Sequence, residues 1–178
     1  LRVNPLPPAL DVDAGARVRA AEVGAGDAPA LQAVLDAVRD YFVLTEGAPA
    51  PRDAARDLLA EAEADEARRV LLVAPRAGGA PVGFLDLHLH QPEPGVAHVG
   101  VLALRPEARG RGLGRDLVEA LARALAAAGF VALRCSVGDE NPEARAFWER
   151  VGFAEVGRLE GGVTVLERTL APAASRSP

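Results

Sequence analysis

The chain has 178 residues, 49% hydrophobic content and a formal net charge of −5 at neutral pH. That suits one domain with a full core and argues against a general nucleic-acid binder, which would present a basic face. Charged residues interrupt every alanine- and leucine-rich stretch, so no membrane span is expected, and a single cysteine excludes an intramolecular disulfide framework. Prolines and aspartates occupy Leu1 to Ala16, where a secretory signal would carry an apolar run, so a cytoplasmic location is the expectation. Abundant arginine and alanine with no lysine point to a GC-rich bacterial genome.

In chain order, residues 1–15 read as a proline-containing N-terminal arm, 16–170 as a single domain and 171–178 as a flexible tail. Arg17 to Val23 alternates as a short strand. Asp27-Ala28-Pro29 starts a helix, with Asp27 as N-cap and Pro29 in the first turn; Leu31, Leu35, Val38 and Phe42 then mark one apolar stripe down to Gly47. A second helix runs from about Pro51 to Arg68, followed by a buried strand, Arg69 to Ala74. The Pro92-Glu-Pro-Gly95 turn joins strands Val82–His90 and Val96–Leu104 in an antiparallel hairpin. Leu113, Leu117, Leu121 and Leu125 set the next helix against a sheet, and Gly129 ends it. Strand Val131–Val137, helix Pro142–Val151 and strands Phe153–Val156 and Val163–Leu170 complete the order.

The stretch from Leu102 to Leu117 carries the chemistry. A strand stops at Pro106, an arginine–glycine turn follows, and a helix begins. Unpaired amides and the helix dipole at such a start favour an anion. Gly110, Gly112 and Gly114 let a ligand approach the main chain, and Arg105, Arg109, Arg111 and Arg115 reverse the chain's sign locally, opposed only by Glu107 and Asp116. We read this turn as a pyrophosphate site. A nucleotide P-loop would need Lys-Ser/Thr after its last glycine, where Arg115-Asp116 stands, and a dinucleotide fingerprint would need glycine at position 115. Three alternating glycines at a helix start cost about 1 kcal/mol each if helical, a poor bargain for a merely solvated turn.

Arg109-x-x-Gly112-x-Gly114 between a strand and a helix resembles the acyl-coenzyme-A loop of the GNAT superfamily of N-acetyltransferases. Asn141-Pro-Glu-Ala-Arg-Ala-Phe-Trp-Glu-Arg-Val-Gly-Phe153 resembles the family's later segment, at the family's usual spacing. The resemblance covers roughly residues 95–157. It implies a mixed α/β (α+β) GNAT fold: a central twisted, mostly antiparallel sheet of about seven strands, the fourth and fifth splayed, with about four flanking helices. It also implies an acetyl-CoA-dependent acyltransferase that passes an acetyl group to a primary amine of a small molecule or peptide in a ternary complex. Homodimers are common for this fold, and neither nucleic acid nor membrane is an expected partner.

Within that resemblance, coenzyme A would lie between the splayed strands. The main chain of Leu102, Ala103 and Leu104 would hold its pantetheine arm, and Arg109, Gly110, Arg111, Gly112, Leu113, Gly114 and Arg115 its diphosphate. Asn141 would cap its helix and also hydrogen-bond the cofactor with the amide donors left over. His98 is the candidate general base, at a strand position where several GNAT enzymes carry Glu or His. Alternation puts His98, Gly100, Leu102 and Leu104 on one face. With the hairpin turn centred on Glu93, His88 lies across from His98 and Asp86 one step along the same face, so Asp86 and His88 are supporting candidates. A metal site from His88, His90 and His98 is set aside, because the reaction needs none.

One residue departs from the family pattern. Trp148 stands where many members have a tyrosine that protonates the departing thiolate; Trp148 packs against cofactor or core, and another group donates or the thiolate leaves unaided. That departure supports an alternative reading, a non-catalytic acyl-CoA sensor or interaction module. Cys135 reads as a packed core thiol. The acceptor pocket is expected from the first two helices and the hairpin, around Tyr41, Phe42 and Thr45 to Gly47. Asp40, Glu46, Asp53 and Asp57 either attract a cationic amine or line solvated faces.

Overall fold

The structure, a computed structural model, describes residues 10–171. Most of the expected arm and all but the first residue of the expected tail lie outside them. The described strands are β1 (Asp11–Asp13), β2 (Val18–Glu22), β3 (Arg68–Pro75), β4 (Gly83–Leu89), β5 (Val96–Leu104), β6 (Ala132–Gly138), β7 (Ala154–Leu159) and β8 (Val163–Thr169). The helices are α1 (Ala28–Ala37), α2 (Arg39–Glu46), α3 (Ala54–Ala64), α4 (Leu113–Ala127) and α5 (Pro142–Arg150). One mixed sheet runs β1-β2-β3-β4-β5-β6-β8-β7, antiparallel at every pairing except the parallel β5–β6. The fold class is the expected one, with eight strands instead of about seven and five helices instead of about four. Among the described residues no helix is long and apolar enough to cross a membrane.

Two apolar layers cover the sheet. On one face Leu117, Leu121 and Leu125 of α4 meet Leu71, Leu85, Leu87 and Leu133; the leucine stripe of α4 is buried as its period requires. On the other face Leu31 and Leu35 of α1 and Leu59 of α3 pack on Val70, Leu72 and Phe84.

Three expectations are corrected. The sheet starts earlier than residue 16: Asp11–Asp13 pairs antiparallel with β2, and Leu10, Val12 and Ala14 are buried. Their alternation was masked by the flanking prolines and aspartates. The single helix read through to Gly47 is two, broken at Val38 (φ −95°, ψ 32°). Val38 belongs to the buried core while α2 buries none of its residues, so the apolar stripe does not continue as one face. Asp27 makes no side-chain cap of α1; its carboxylate instead accepts a bond from the Gly24 amide at 3.1 Å.

The hairpin has the expected register, His88 opposite His98, but the ladder slips at Asp86/Leu87. Leu87 faces Val99 while Asp86 faces Val101, which leaves Gly100 as the extra residue of a bulge. One inserted residue exchanges faces. His98 therefore shares the α1–α3 face with His88 and Asp86, whereas Leu102 and Leu104 turn to the α4 face. The expectation that His98, Leu102 and Leu104 point the same way is overturned by that bulge.

Leu121, 1% exposed, anchors α4, so Leu121→Ala is expected to cost about 2–5 kcal/mol in urea unfolding. Leu44→Ala on the exposed side of α2 should stay within about 0.5 kcal/mol.

Candidate active site

The parallel pairing of β5 with β6 stops at Val99↔Cys135, although β5 continues to Leu104 and β6 to Gly138. Beyond that point each strand keeps its outer neighbour, β4 or β8, and the two part. Counted without β1, which was not expected, these are the fourth and fifth strands expected to splay. Main-chain groups of residues 100–104 that point away from β4 have no strand partner, a free edge that a ligand can satisfy.

A cleft of about 540 Å³ opens on the α4 and α5 side of this gap. Its walls include Leu102, Ala103, Leu104, Arg109, Gly110, Gly112, Leu113, Gly114, Arg115, Asn141 and Trp148. The structure thus gathers every candidate cofactor residue except Arg111 into one lining, and Arg111 lies in the same turn. Gly110 (φ 70°) and Gly112 (φ 78°) take left-handed conformations that form the turn, and Gly112 occupies the N-cap position of α4 without a side-chain cap. Among the described residues, no main-chain N–H from Gly110 to Arg115 donates to a protein acceptor. At Gly114 an added Cβ would lie 3.2 Å from the Phe147 ring. A row of free amides at the start of a 15-residue helix, with arginines beside it, fits a diphosphate.

The arginines are less alike than their spacing suggested. Arg109 donates to the Leu104 carbonyl at 2.8 Å and grips both oxygens of Asp40 in α2; Arg109 holds the Asp40 carboxyl below the usual carboxylate range. Arg105 turns to the Ala33 carbonyl. Arg17, which sequence reasoning passed over, donates to the Arg111 carbonyl and pairs with Asp116. Asp40 therefore joins Glu107 and Asp116 in opposing the positive turn. Contacts spanning 69 and 94 residues leave no local signal.

Asn141 caps α5 by accepting from the Ala144 amide at 3.1 Å, which leaves the donors of its NH2 group available, and the residue lines the cleft. Trp148 is buried, edge-on to Phe147 (5.2 Å) and Phe153 (4.9 Å).

A smaller recess of about 110 Å³ continues into the gap, bounded by Tyr41 and Thr45 of α2, Val99 to Leu102, Cys135 to Gly138, Asn141, Ala144 and Trp148. Burial pushes the Cys135 thiol up, away from thiolate chemistry. Phe42 packs with the α1–α3 core, edge-on to Tyr41 at 5.2 Å.

Asp86, His88 and His98 come together on the α1–α3 face but do not line the cleft or the recess. Asp86 is 4% exposed and held bidentately by Arg68 at 3.0 and 2.8 Å. His88 Nε2 lies 3.6 Å from Asp86 Oδ2. Gly100 connects this cluster to the recess: it lines the recess, and a Cβ there would sit 3.3 Å from His88 Nε2 and 3.4 Å from Asp86 Oδ2. His98 is half-buried; burial, then its electrostatic neighbours His88 and Arg134, lower its pKa. His90 turns off the strand (φ 57°) and stacks on Phe130 at 4.8 Å.

Residues 31–153 match the Acetyltransferase (GNAT) family. Peptidyl-lysine N-acetyltransferase YjaB of Escherichia coli strain K12 is 34% identical over 126 residues, 71% of this chain and 72% of that protein. L-2,4-diaminobutyric acid acetyltransferase of Nocardia farcinica is 33% identical over 89 residues, 50% of this chain and 44% of that protein. The crystal structure of an acetyltransferase from Thermus thermophilus superposes with a TM-score of 0.78 at 34% identity, over 90% of this chain and all of that one. With a family match over more than half its length and the splayed sheet and glycine turn in place, the chain belongs to the acetyltransferase (GNAT) family and is an acyltransferase.

Proposed function

We propose that this acyltransferase moves the acetyl group of acetyl-CoA to a primary amine of a small molecule or peptide. The observation that carries the reading is the row of unpartnered amides from Gly110 to Arg115 opening on the 540 Å³ cleft. Those amides would hold the diphosphate, and the free edge of Leu102 to Leu104 the pantetheine arm, with the thioester at the narrowing between cleft and recess. The two relatives compared above are named for acceptors that carry amines, peptidyl-lysine and L-2,4-diaminobutyric acid.

The amine nitrogen attacks the thioester carbon, the C–S bond breaks and the nitrogen loses a proton. Holding the two reactants in line supplies about 7–11 kcal/mol of the barrier; a general base adds roughly 10²–10⁴-fold. The base belongs to the Asp86–His88–His98 group, acting through water at the Gly100 bulge. Asp86 is tied to Arg68, so it orients and the histidines take the proton. The lowered pKa of His98 keeps it neutral, and able to accept, at neutral pH.

Acetyl-CoA at about 100 times its Kd is expected to stabilise the fold by about 2.7 kcal/mol, read as a rise in Tm. Gly114→Val, which pushes a side chain toward Phe147, should lose that rise while keeping its circular dichroism spectrum. No shift of the wild type at saturating acetyl-CoA refutes the reading.

His98→Ala should lower kcat by about 10²–10⁴-fold. Because the base works deprotonated and its pKa is lowered, the acidic limb of kcat/KM should fall below the ordinary histidine value of about 6.5 and vanish in the variant. An unaltered limb would move the role to His88.

A further inference from the structure

The arginines around the cleft fall into two groups. Arg17, Arg105 and Arg109 are bound within the protein, to Asp116, the Ala33 carbonyl and Asp40 respectively. The guanidinium groups of Arg111, Arg115 and Arg150 have no hydrogen-bonded or ion-paired partner among the described residues, and the carboxylates next to them in sequence are held by other arginines. Glu119, one helical turn after Arg115, is gripped at both oxygens by Arg168. Asp116 pairs with Arg17, and Glu149, beside Arg150, pairs with Arg145.

Arg115 and Arg150 are exposed, and both border the large cleft. The resemblance assigns Arg150 no role. At Gly114 an added Cβ would lie 3.2 Å from the Phe147 ring, so α4 and α5 touch close to both arginines: Arg115 follows Gly114, and Arg150 stands one turn beyond Phe147 at the end of α5. The carboxylates that line the cleft lie elsewhere. Asp40 binds Arg109, and its hydrogen bonds, then the charge of Glu143, raise that guanidinium's pKa. Glu143 sits at the start of α5, about 10 Å along the helix from Arg150. The cleft therefore carries uncompensated positive charge at residues 115 and 150, in addition to the free amides of the glycine turn.

Under the acetyl-CoA reading, on which this inference rests, the amides from Gly110 to Arg115 meet the diphosphate. Coenzyme A carries one more anion, the phosphomonoester on its ribose 3′ oxygen, which like other phosphomonoesters bears about −1.5 to −2 charge at neutral pH. We propose that Arg150, together with Arg115, binds this 3′-phosphate, so that the protein selects coenzyme A over its 3′-dephospho form. A guanidinium presents parallel N–H donors that match phosphate oxygens, and neither arginine has to leave a protein partner to do so. The C-terminal end of α5 favours a cation at Arg150 and leaves all of its donors for a ligand.

Isothermal titration calorimetry with coenzyme A and with 3′-dephospho-coenzyme A tests this without relying on turnover. The wild type is expected to bind coenzyme A at least about 10-fold more tightly, the scale of one hydrogen bond to a charged group. Arg150→Gln should weaken coenzyme A by about 10-fold while its affinity for the 3′-dephospho form stays within about twofold of the wild type. Arg150 is exposed and unpaired, so the variant is expected to fold, and the wild-type comparison of the two nucleotides stands without any variant. Equal or reversed wild-type affinities overturn the inference and leave the acetyl-CoA reading standing. An Arg150→Gln variant that keeps the full preference, or that weakens both nucleotides alike, does the same. A wild type that binds neither nucleotide overturns the cofactor reading, and this inference with it.

Discussion

The separation of β5 from β6 after Val99 and Cys135 is the constraint on which the rest of the site depends. A parallel pair would ordinarily continue its hydrogen-bonded ladder, since an unpaired main-chain edge inside a protein is costly. Here each strand remains anchored on its far side, β5 to β4 and β6 to β8, over its full length. The gap is therefore rigid, and its free edge is a standing demand for a partner. The helix that follows β5 begins with amides in the same condition. One continuous strand–turn–helix unit thus offers hydrogen-bond donors and acceptors to an extended ligand and an anion cradle to that ligand's charged end.

The Gly100 bulge makes this edge usable from both sides. Without it, strict alternation would aim His98 and Leu102 at the same layer, and His98 would part from Asp86 and His88, which β4 holds on the other face. With it, Leu102 and Leu104 close the α4 layer, and His88, His98 and Asp86 face α1–α3. Gly100 then stands between the recess and that cluster with no side chain to block the path. The bulge separates the arginine-rich turn on one side of the sheet from the histidine cluster on the other.

Local patterns carried the legible part of the fold. The α4 leucines at every fourth position, the hairpin register fixed by the turn at Glu93 and the asparagine start of α5 all depend on neighbours within a few residues, and the structure places them as expected. The rest depended on partners far along the chain. Arg17 reaches Arg111 and Asp116 across more than ninety residues, Arg109 reaches Asp40, and Arg68 reaches Asp86. Spacing does not encode which arginine is free and which is paired. The bulge was hidden for a different reason: Gly100 in a strand is compatible with regular pairing, and only the opposite strand reveals that it is the extra residue. The break at Val38 was hidden because an apolar stripe can continue across two helices whose axes do not.

Asp86 shows how burial sorts roles among residues of similar chemistry. At 4% exposure an isolated carboxylate would be costly, and Arg68 meets that cost with two hydrogen bonds while also binding Glu61. Removing Arg68 would strand a buried charge, a loss of about 3–5 kcal/mol in comparable pairs. The same geometry withdraws Asp86 from proton transfer, because both of its oxygens are already engaged by a guanidinium that stays charged. His88 Nε2 lies 3.6 Å from its Oδ2, so the fixed negative charge borders the imidazole without leaving Arg68. The ion pair is thus a foundation beside the bulge, with the half-buried His88 and His98 on the same face above it.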